Sequence, residues 1–325
     1  MIIITGAAGF IGSALVWALN KQGRSDLILV DEVDHNEKEH NIGHLRYERL
    51  IGIKEFRQQL LAGEFNRAGV EAMLHMGACS DTTEDDWDYL LDNNVEYTKD
   101  IIRWCVDSGV RCVYASSAAT YGDGSQGFSD DHDVFDQLAA LNLYGKSKLL
   151  VDIWARDGGY LKNVVGLRYF NVYGPNEQHK EHMQSVIAKK FPQVHQQGYI
   201  ELFKSHHPEY ADGEQERDFL YVKDAVAMTL FFLENKGIAG VYNVGTGQAR
   251  TWNEVAQAMF AAVGRKPDIR YVDLPENLEG HYQYHTEADM TKLTAAGWQG
   301  KTSTLEESIT DYVQNYLVPH KHLDK

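Results

Sequence analysis

Residues 1–12 read MIIITGAAGFIG, a pattern that confines a chain to few folds. Ile2, Ile3 and Ile4 form a short apolar run suited to a buried parallel strand, and 13–20 (SALVWALN) reads as a helix. Between them Gly6, Gly9 and Gly12 recur every third residue. Glycine is needed there for steric reasons. The turn must be tight, the helix must pack closely on the strand, and the backbone must approach a pyrophosphate held by the free N–H groups of the helix start. A second apolar strand, 27–30 (LILV), ends at Asp31, about 20 residues past the turn, where an acid usually holds a ribose hydroxyl.

Beyond this unit, apolar strands alternate with amphipathic helices. Strands are expected at 72–75, 111–116 and 164–169, with helices around 92–108 and 143–154. The alternation predicts an α/β fold, a Rossmann-type doubly wound parallel sheet with right-handed crossovers. Residues 175–218 are longer, more polar and rich in His, Lys and Glu. Apolar patterning returns in a strand at 219–222, a helix at 225–234 and a strand at 241–244, and the tail from Thr251 reads as helical with polar turns. A smaller, interleaved substrate-binding domain is therefore expected. The Rossmann domain takes 1–170 plus about 218–247, and the second domain takes 171–217 plus about 248–318.

A net charge of -16 argues against nucleic acid or an anionic membrane surface as partner. No apolar run approaches the ~20 residues of a membrane span, and with a strand read from residue 1 no signal peptide is expected. Cys79, Cys105 and Cys112 are few and odd in number, which suits reduced thiols and a cytoplasmic location. His35, His40 and His44 lie in a charged stretch, and His206 and His207 form an isolated pair. All five read as solvated loop histidines, and no metal is expected.

The chemistry centres on YGKSK at 144–148. Tyr144 and Lys148 are four apart and share a helix face. A tyrosine hydroxyl, with a reference pKa near ~10, needs help to act as a base, and a neighbouring ammonium favours its phenolate. Ser117, in YASSAATYG at 114–122, supplies a hydroxyl for the substrate oxygen at the carboxyl end of a strand, where ligands sit in open α/β sheets.

These motifs resemble the extended short-chain dehydrogenase/reductase family, whose members bind NAD or NADP and act on nucleotide sugars. The resemblance extends to GACSDTTE at 77–84, DNN at 92–94, RYFNVYGP at 168–175, His179, Lys180 and RDFLYV at 217–222, and runs to about residue 317. It implies an epimerase that oxidises its sugar transiently and reduces it again from the other face. Phe10 and Ile11 would flank the pyrophosphate and Asp31 and Glu32 face the ribose, with Lys38 and Lys54 as cofactor lysines. Gly77, Ala78, Cys79, Ser80, Asn93 and Val172 would complete the cofactor site. Ser117, Tyr144 and Lys148 would form the catalytic group, with Lys180 as a second acid/base. Substrate contacts are expected at Asn171, His182, Lys189, Phe203, Lys204, Ser205, His206, Arg217 and Tyr282.

Four features depart from the family pattern. His182 stands where a Ser is usual, Lys189 replaces a His, His281 replaces an Arg, and the loop between Phe203 and Arg217 is longer. Asp31 and Glu32 would repel a 2′-phosphate whereas Lys38 could pair with one, and the resemblance tips the choice to NADP rather than NAD. It also implies a homo-oligomer, a pentamer. Rival readings are another nucleotide-sugar epimerase, such as a UDP-hexose 4-epimerase, a dehydratase, or a non-catalytic dinucleotide sensor. A dehydratase should carry an acidic pair after Ser117, where this chain has Ala118 and Ala119. A sensor has no need of Tyr144 and Lys148.

Overall fold

A computed structural model describes residues 1–33, 36–66, 68–275 and 283–324. Its strands are β1 (Ile2–Thr5), β2 (Leu27–Val30), β3 (Arg49–Ile51), β4 (Ala72–His75), β5 (Arg111–Ser117), β6 (Val164–Tyr169), β7 (Asn171–Tyr173), β8 (Ile200–Phe203), β9 (Glu216–Tyr221), β10 (Gly240–Val244), β11 (Ala249–Thr251) and β12 (Ile269–Val272). Seven of them form one sheet in the order β10-β6-β5-β4-β1-β2-β3. Every pairing in it is parallel. The strand order reverses between β1 and β4, which opens a crevice at their carboxyl ends.

The apolar runs follow from burial on both faces. Ile2 and Ile4 enter one core with Leu27, Leu29 and Leu74, while Ile3 enters the other with Ile28, Val30 and Met73. Each such side chain adds about 1.5–3 kcal/mol when buried. Helices Phe10–Lys21 and Val222–Glu234 pack against the first face and helix Tyr97–Asp107 against the second.

Several elements differ from expectation. The first helix starts at Phe10 because extended Gly9 is its N-cap, so Gly12 lies inside it. Strand β3 was missed: Arg49 and Leu50 are exposed, so this edge strand has no apolar run. The expected helix at 92–108 is broken into Trp87–Leu90, a wide π-type turn at Leu91–Glu96, and Tyr97–Asp107. The tail is not all helical, since β12 pairs in parallel with β8. Strands β11, β9 and β7 form a separate three-stranded sheet. The strand expected at 219–222 thus begins at Glu216, joins this small sheet and hands over at Val222 to a helix packed on the large one. Among the described residues no helix is long and apolar enough to cross a membrane.

Candidate active site

A cleft of about 640 Å³ runs along the carboxyl ends of β1, β4 and β5, from the glycine turn to Tyr144 and Lys148. At its first end the glycines leave no room for side chains. Gly6 has φ +64°, and a Cβ there would lie 2.7 Å from the Gly77 nitrogen; a Cβ on Gly12 would lie 2.0 Å from the Gly6 carbonyl oxygen. Asp31 secures the turn. Its Oδ2 accepts from the Ala8 N–H at 2.9 Å, and its Oδ1 accepts from the Glu32 N–H at 2.8 Å and from Lys38 Nζ at 3.1 Å. Lys38 also donates to the Glu32 carbonyl at 3.0 Å. Glu32 itself turns outward, and its carboxylate caps helix Ile53–Leu61 by accepting from the Ile53 N–H at 2.8 Å. It does not line the cleft, nor does exposed Lys54 on that helix. A narrow backbone cradle beside a carboxylate paired to one lysine fits a dinucleotide.

The floor is formed by Gly77, Ala78, Cys79, Ser80 and Asn93. Asn94, which sequence reasoning passed over, holds it in place. Its Oδ1 accepts from the Cys79 N–H at 2.9 Å, and its Nδ2 donates to the Cys79 carbonyl at 3.0 Å and to Ser147 Oγ at 3.1 Å. In the π-type turn Asn93 lines the cleft, and its Nδ2 donates to Oδ1 of buried Asn94 at 3.0 Å. The Asp-Asn-Asn run was the available signal.

Ser117 ends β5, and Tyr144 and Lys148 lie one turn apart on helix Leu143–Asp157, which Asn142 caps by accepting from the Gly145 N–H at 2.7 Å. Lys148 Nζ stands 5.9 Å from the centroid of the Tyr144 ring and donates to the Ala115 carbonyl at 2.9 Å. The electrostatics correct one expectation. Burial pushes the Tyr144 hydroxyl up, and the Ser117 hydroxyl acts against that shift. Burial also brings Lys148 down to about 8, partly opposed by Asp152. Desolvation sets the direction of both shifts.

Beneath them is a buried network that no motif announced. Asp152, on the catalytic helix, accepts from Tyr114 Oη, Ser116 Oγ and Arg168 Nε, each at 2.9 Å. Asp152 and Arg168 are fully buried, and the guanidinium lies 4.3 Å from the Phe135 centroid. The helix, β5 and β6 are thereby tied into one block.

The opposite wall is the segment Gln178–Met183, which brings Lys180, His182, His179 and Met183 to the cleft. Lys180 Nζ lies 5.6 Å from the centroid of Phe10, and burial lowers its pKa against the pull of Glu177. Buried Glu177 anchors the segment. It accepts from the Gly174 N–H at 3.2 Å, Ser185 N–H at 2.5 Å, Ser185 Oγ at 2.8 Å and Tyr312 Oη at 2.9 Å. His182 pairs with Asp81 across the cleft mouth at 3.0 Å. Exposed Lys189 stays outside the cleft lining and donates to the His182 carbonyl at 3.2 Å.

The remaining expected substrate residues are spread over the second part of the molecule. Val172 reaches the cleft, but Asn171, Phe203, Lys204, Ser205, His206 and Arg217 are not part of its lining. Lys204 pairs with Asp273 at 2.9 Å, Ser205 Oγ donates to the His207 carbonyl at 3.1 Å, and the His206 N–H donates to Tyr284 Oη at 3.3 Å. Buried Arg217 donates to the Glu216 carbonyl at 2.7 Å, and Asn171 Oδ1 accepts from Thr286 Oγ1 at 3.4 Å. Tyr282 and His281 lie outside the described residues.

A dinucleotide cradle leading to a Ser-Tyr-Lys group marks a short-chain dehydrogenase type of site. The chain belongs to the NAD dependent epimerase/dehydratase family, whose model matches residues 2–245. It is 49% identical over 323 residues to an ADP-L-glycero-D-manno-heptose-6-epimerase of Nitratidesulfovibrio vulgaris, covering 98% of this chain and 100% of the relative. It is 43% identical to the enzyme of that name from Fusobacterium nucleatum, with 98% of each chain covered. Among solved structures it resembles the Helicobacter pylori ADP-L-glycero-D-manno-heptose-6-epimerase, at 27% identity and a TM-score of 0.79, covering 97% of this chain and 95% of the other.

Proposed function

We propose that this enzyme interconverts ADP-D-glycero-D-manno-heptose and ADP-L-glycero-D-manno-heptose at C6 of the heptose, supplying the precursor of the lipopolysaccharide inner core. The observation that carries the reading is Tyr144 and Lys180 facing one cleft from two walls, in a chain whose full-length relatives bear that name. C6 lies outside the sugar ring, and no carbonyl acidifies its C–H bond. Direct deprotonation would therefore be very slow, whereas oxidation to a 6-keto sugar and rotation about C5–C6 present the other face for reduction.

NADP held in the cleft would supply reversible hydride acceptance. Gly6, Gly9, Phe10, Ile11, Gly12, Asp31 and Lys38 would hold it, with Gly77, Ala78, Cys79, Ser80, Asn93, Lys148 and Val172 along its length. Lys38 offsets the charge of Asp31, which favours a 2′-phosphate. The chain's own residues handle the protons. In one direction Tyr144 Oη takes the proton of the C6 hydroxyl while Ser117 orients that oxygen. After rotation the ketone oxygen lies elsewhere, and Lys180 Nζ protonates it. The reverse reaction exchanges the two roles. Burial raises Tyr144 and lowers Lys180, favouring the uncharged form of each group before substrate binds. His182, Lys189, Phe203, Lys204, Ser205, His206, Arg217, Asn171 and Tyr282 are assigned to the substrate. This reading retains the two-part division, 1–170 plus about 218–247 for cofactor and 171–217 plus about 248–318 for sugar nucleotide.

Incubation of purified enzyme with ADP-D-glycero-D-manno-heptose, without added cofactor, should give the C6 epimer by NMR. Turnover of a UDP-hexose instead would move the assignment to a 4-epimerase. We also read it as cytoplasmic and as a homo-oligomer, a pentamer, which the family resemblance implies. Light scattering that finds a 36.8 kDa particle would reject the oligomer.

A further inference from the structure

Helix Asn36–Ile42 carries Lys38 toward the cleft and, beside it, a second cluster that the proposed reaction does not use. Glu37 and His40 stand one turn apart on it, and His322 arrives from the chain's carboxyl-terminal tail. One donor atom from each of the three lies within 4.8 Å of the other two. We propose that Glu37, His40 and His322 form a binding site for a zinc-class divalent ion, which clips the tail to the helix beside the cofactor cradle.

The donor set suits such an ion: two imidazoles and one carboxylate, with a fourth position left for water. Tetrahedral coordination at about 2.0–2.1 Å places ligand atoms about 3.3 Å apart. His322 Nε2 already stands 3.7 Å from Glu37 Oε2. The His40 and His322 rings meet edge to face, with centroids 5.7 Å apart. Exposed His40 needs only a small side-chain swing to complete the set.

The orientation of His322 is the second observation. Asn41 Nδ2 donates to the Ala8 and Asn176 carbonyls at 2.9 and 3.2 Å, which fixes its amide and points Oδ1 at His322 Nδ1, 2.8 Å away. An amide oxygen only accepts, so Nδ1 carries a proton and Nε2 is the ring nitrogen turned toward Glu37. Metal-binding histidines are commonly held in this way through their second nitrogen. The tail is also fixed in advance. The Leu323 N–H donates to Asn176 Oδ1 at 3.0 Å, His44 Nε2 meets the Leu323 carbonyl at 2.7 Å, and Lys21 pairs with Asp324 at 2.8 Å. A net charge of -16 adds a field that favours cations. From sequence His40 reads as a solvated loop histidine; the fold sets it beside a residue near the far end of the chain.

The test uses the untagged, chelator-treated full chain, titrated with ZnCl2 by calorimetry and with CoCl2 by visible absorption. One equivalent of zinc should bind per subunit, and cobalt should give the intense bands of four-coordinate ligation. His40→Ala, at an exposed position that leaves the core intact, should abolish both signals and the zinc-induced rise in Tm, and His322→Gln should do the same. A His322–Glu37 ion pair alone would not need His40. Absence of a one-equivalent site in the parent chain, or binding unchanged in His40→Ala, would overturn the proposal.

Discussion

The two walls of the cleft are built differently. The wall bearing Ser117, Tyr144 and Lys148 stands on the parallel sheet and is locked from below by Asp152, which joins the catalytic helix, β5 and β6. The wall bearing Lys180 is a short segment held mainly by the buried carboxylate of Glu177, with Asn41 beside His179, Lys189 on the His182 carbonyl and an exposed pair between His182 and Asp81. It also contains Glu181 at φ +46°, a backbone conformation that L-residues seldom adopt. A rigid wall suits the group that must meet cofactor and substrate in one geometry. An adjustable wall suits the group that must meet a ketone oxygen after the sugar has turned.

The largest test asks whether both walls act on the same reaction. Tyr144→Phe and Lys180→Met each remove one proton-transfer group, and general acid/base groups contribute about 10²–10⁴ in rate. Each variant should lose epimerisation by that factor while retaining cofactor. Each should still disproportionate a 6-aldehyde analogue lacking C7, which needs acid/base help in one orientation only. Normal epimerisation by Lys180→Met would make the second wall structural.

The anchors should separate next. Asp152→Ala strands a buried guanidinium and should destabilise the fold by about 3–5 kcal/mol in denaturant melts. Glu177→Gln keeps volume and most hydrogen bonds but shifts the Lys180 segment, and a misplacement of about 1 Å can cost up to about 10²-fold in kcat. If Glu177→Gln lowers stability as much as Asp152→Ala and leaves kcat intact, the contrast between the walls fails.

At the cofactor end, Lys38→Ala removes a charge-assisted hydrogen bond of about 1.5–3 kcal/mol, so NADP should weaken by about 10–100-fold and NAD far less. Equal weakening would show that Lys38 does not read the phosphate. The smallest effect concerns pH. The folded-state pKa of Lys148 is lowered from 10.5 to about 8, so the cost of burying its charge is present below pH 8 and relieved as pH rises to 10.5. Relative to Lys148→Met, cofactor-free enzyme should gain on the order of 1–3 kcal/mol between about pH 7 and about pH 10. A flat difference would mean that Lys148 is better solvated than its burial implies.

Much of the rigid wall was legible in the sequence, because its signals are local. A strand buried on both faces is mostly apolar, as 2–4, 27–30, 72–75 and 164–169 are apart from His75 and Arg168, and the glycine turn and the Tyr-Lys spacing act within one or two helical turns. The Asp152–Arg168 network was illegible because its partners come from β5, β6 and a helix, each polar residue lying inside an otherwise apolar element. Edge strand β3 was missed because half of it faces solvent. The second wall was legible only through resemblance. Lys180 lies in a polar stretch without periodicity, and the residues that anchor its segment reach from Gly174 to Tyr312.

By itself the sequence determined the parallel sheet, the cradle at Gly6, Gly9 and Gly12, and the candidate group Ser117, Tyr144 and Lys148. Each rests on short-range sterics or on a periodicity that the chain displays. The tertiary structure alone decided that burial raises Tyr144 and lowers Lys148, that Glu32 caps a helix outside the cleft, and that His322 lies beside His40. Desolvation and contacts between distant segments depend on what the fold packs around a residue, and no local pattern carries that information.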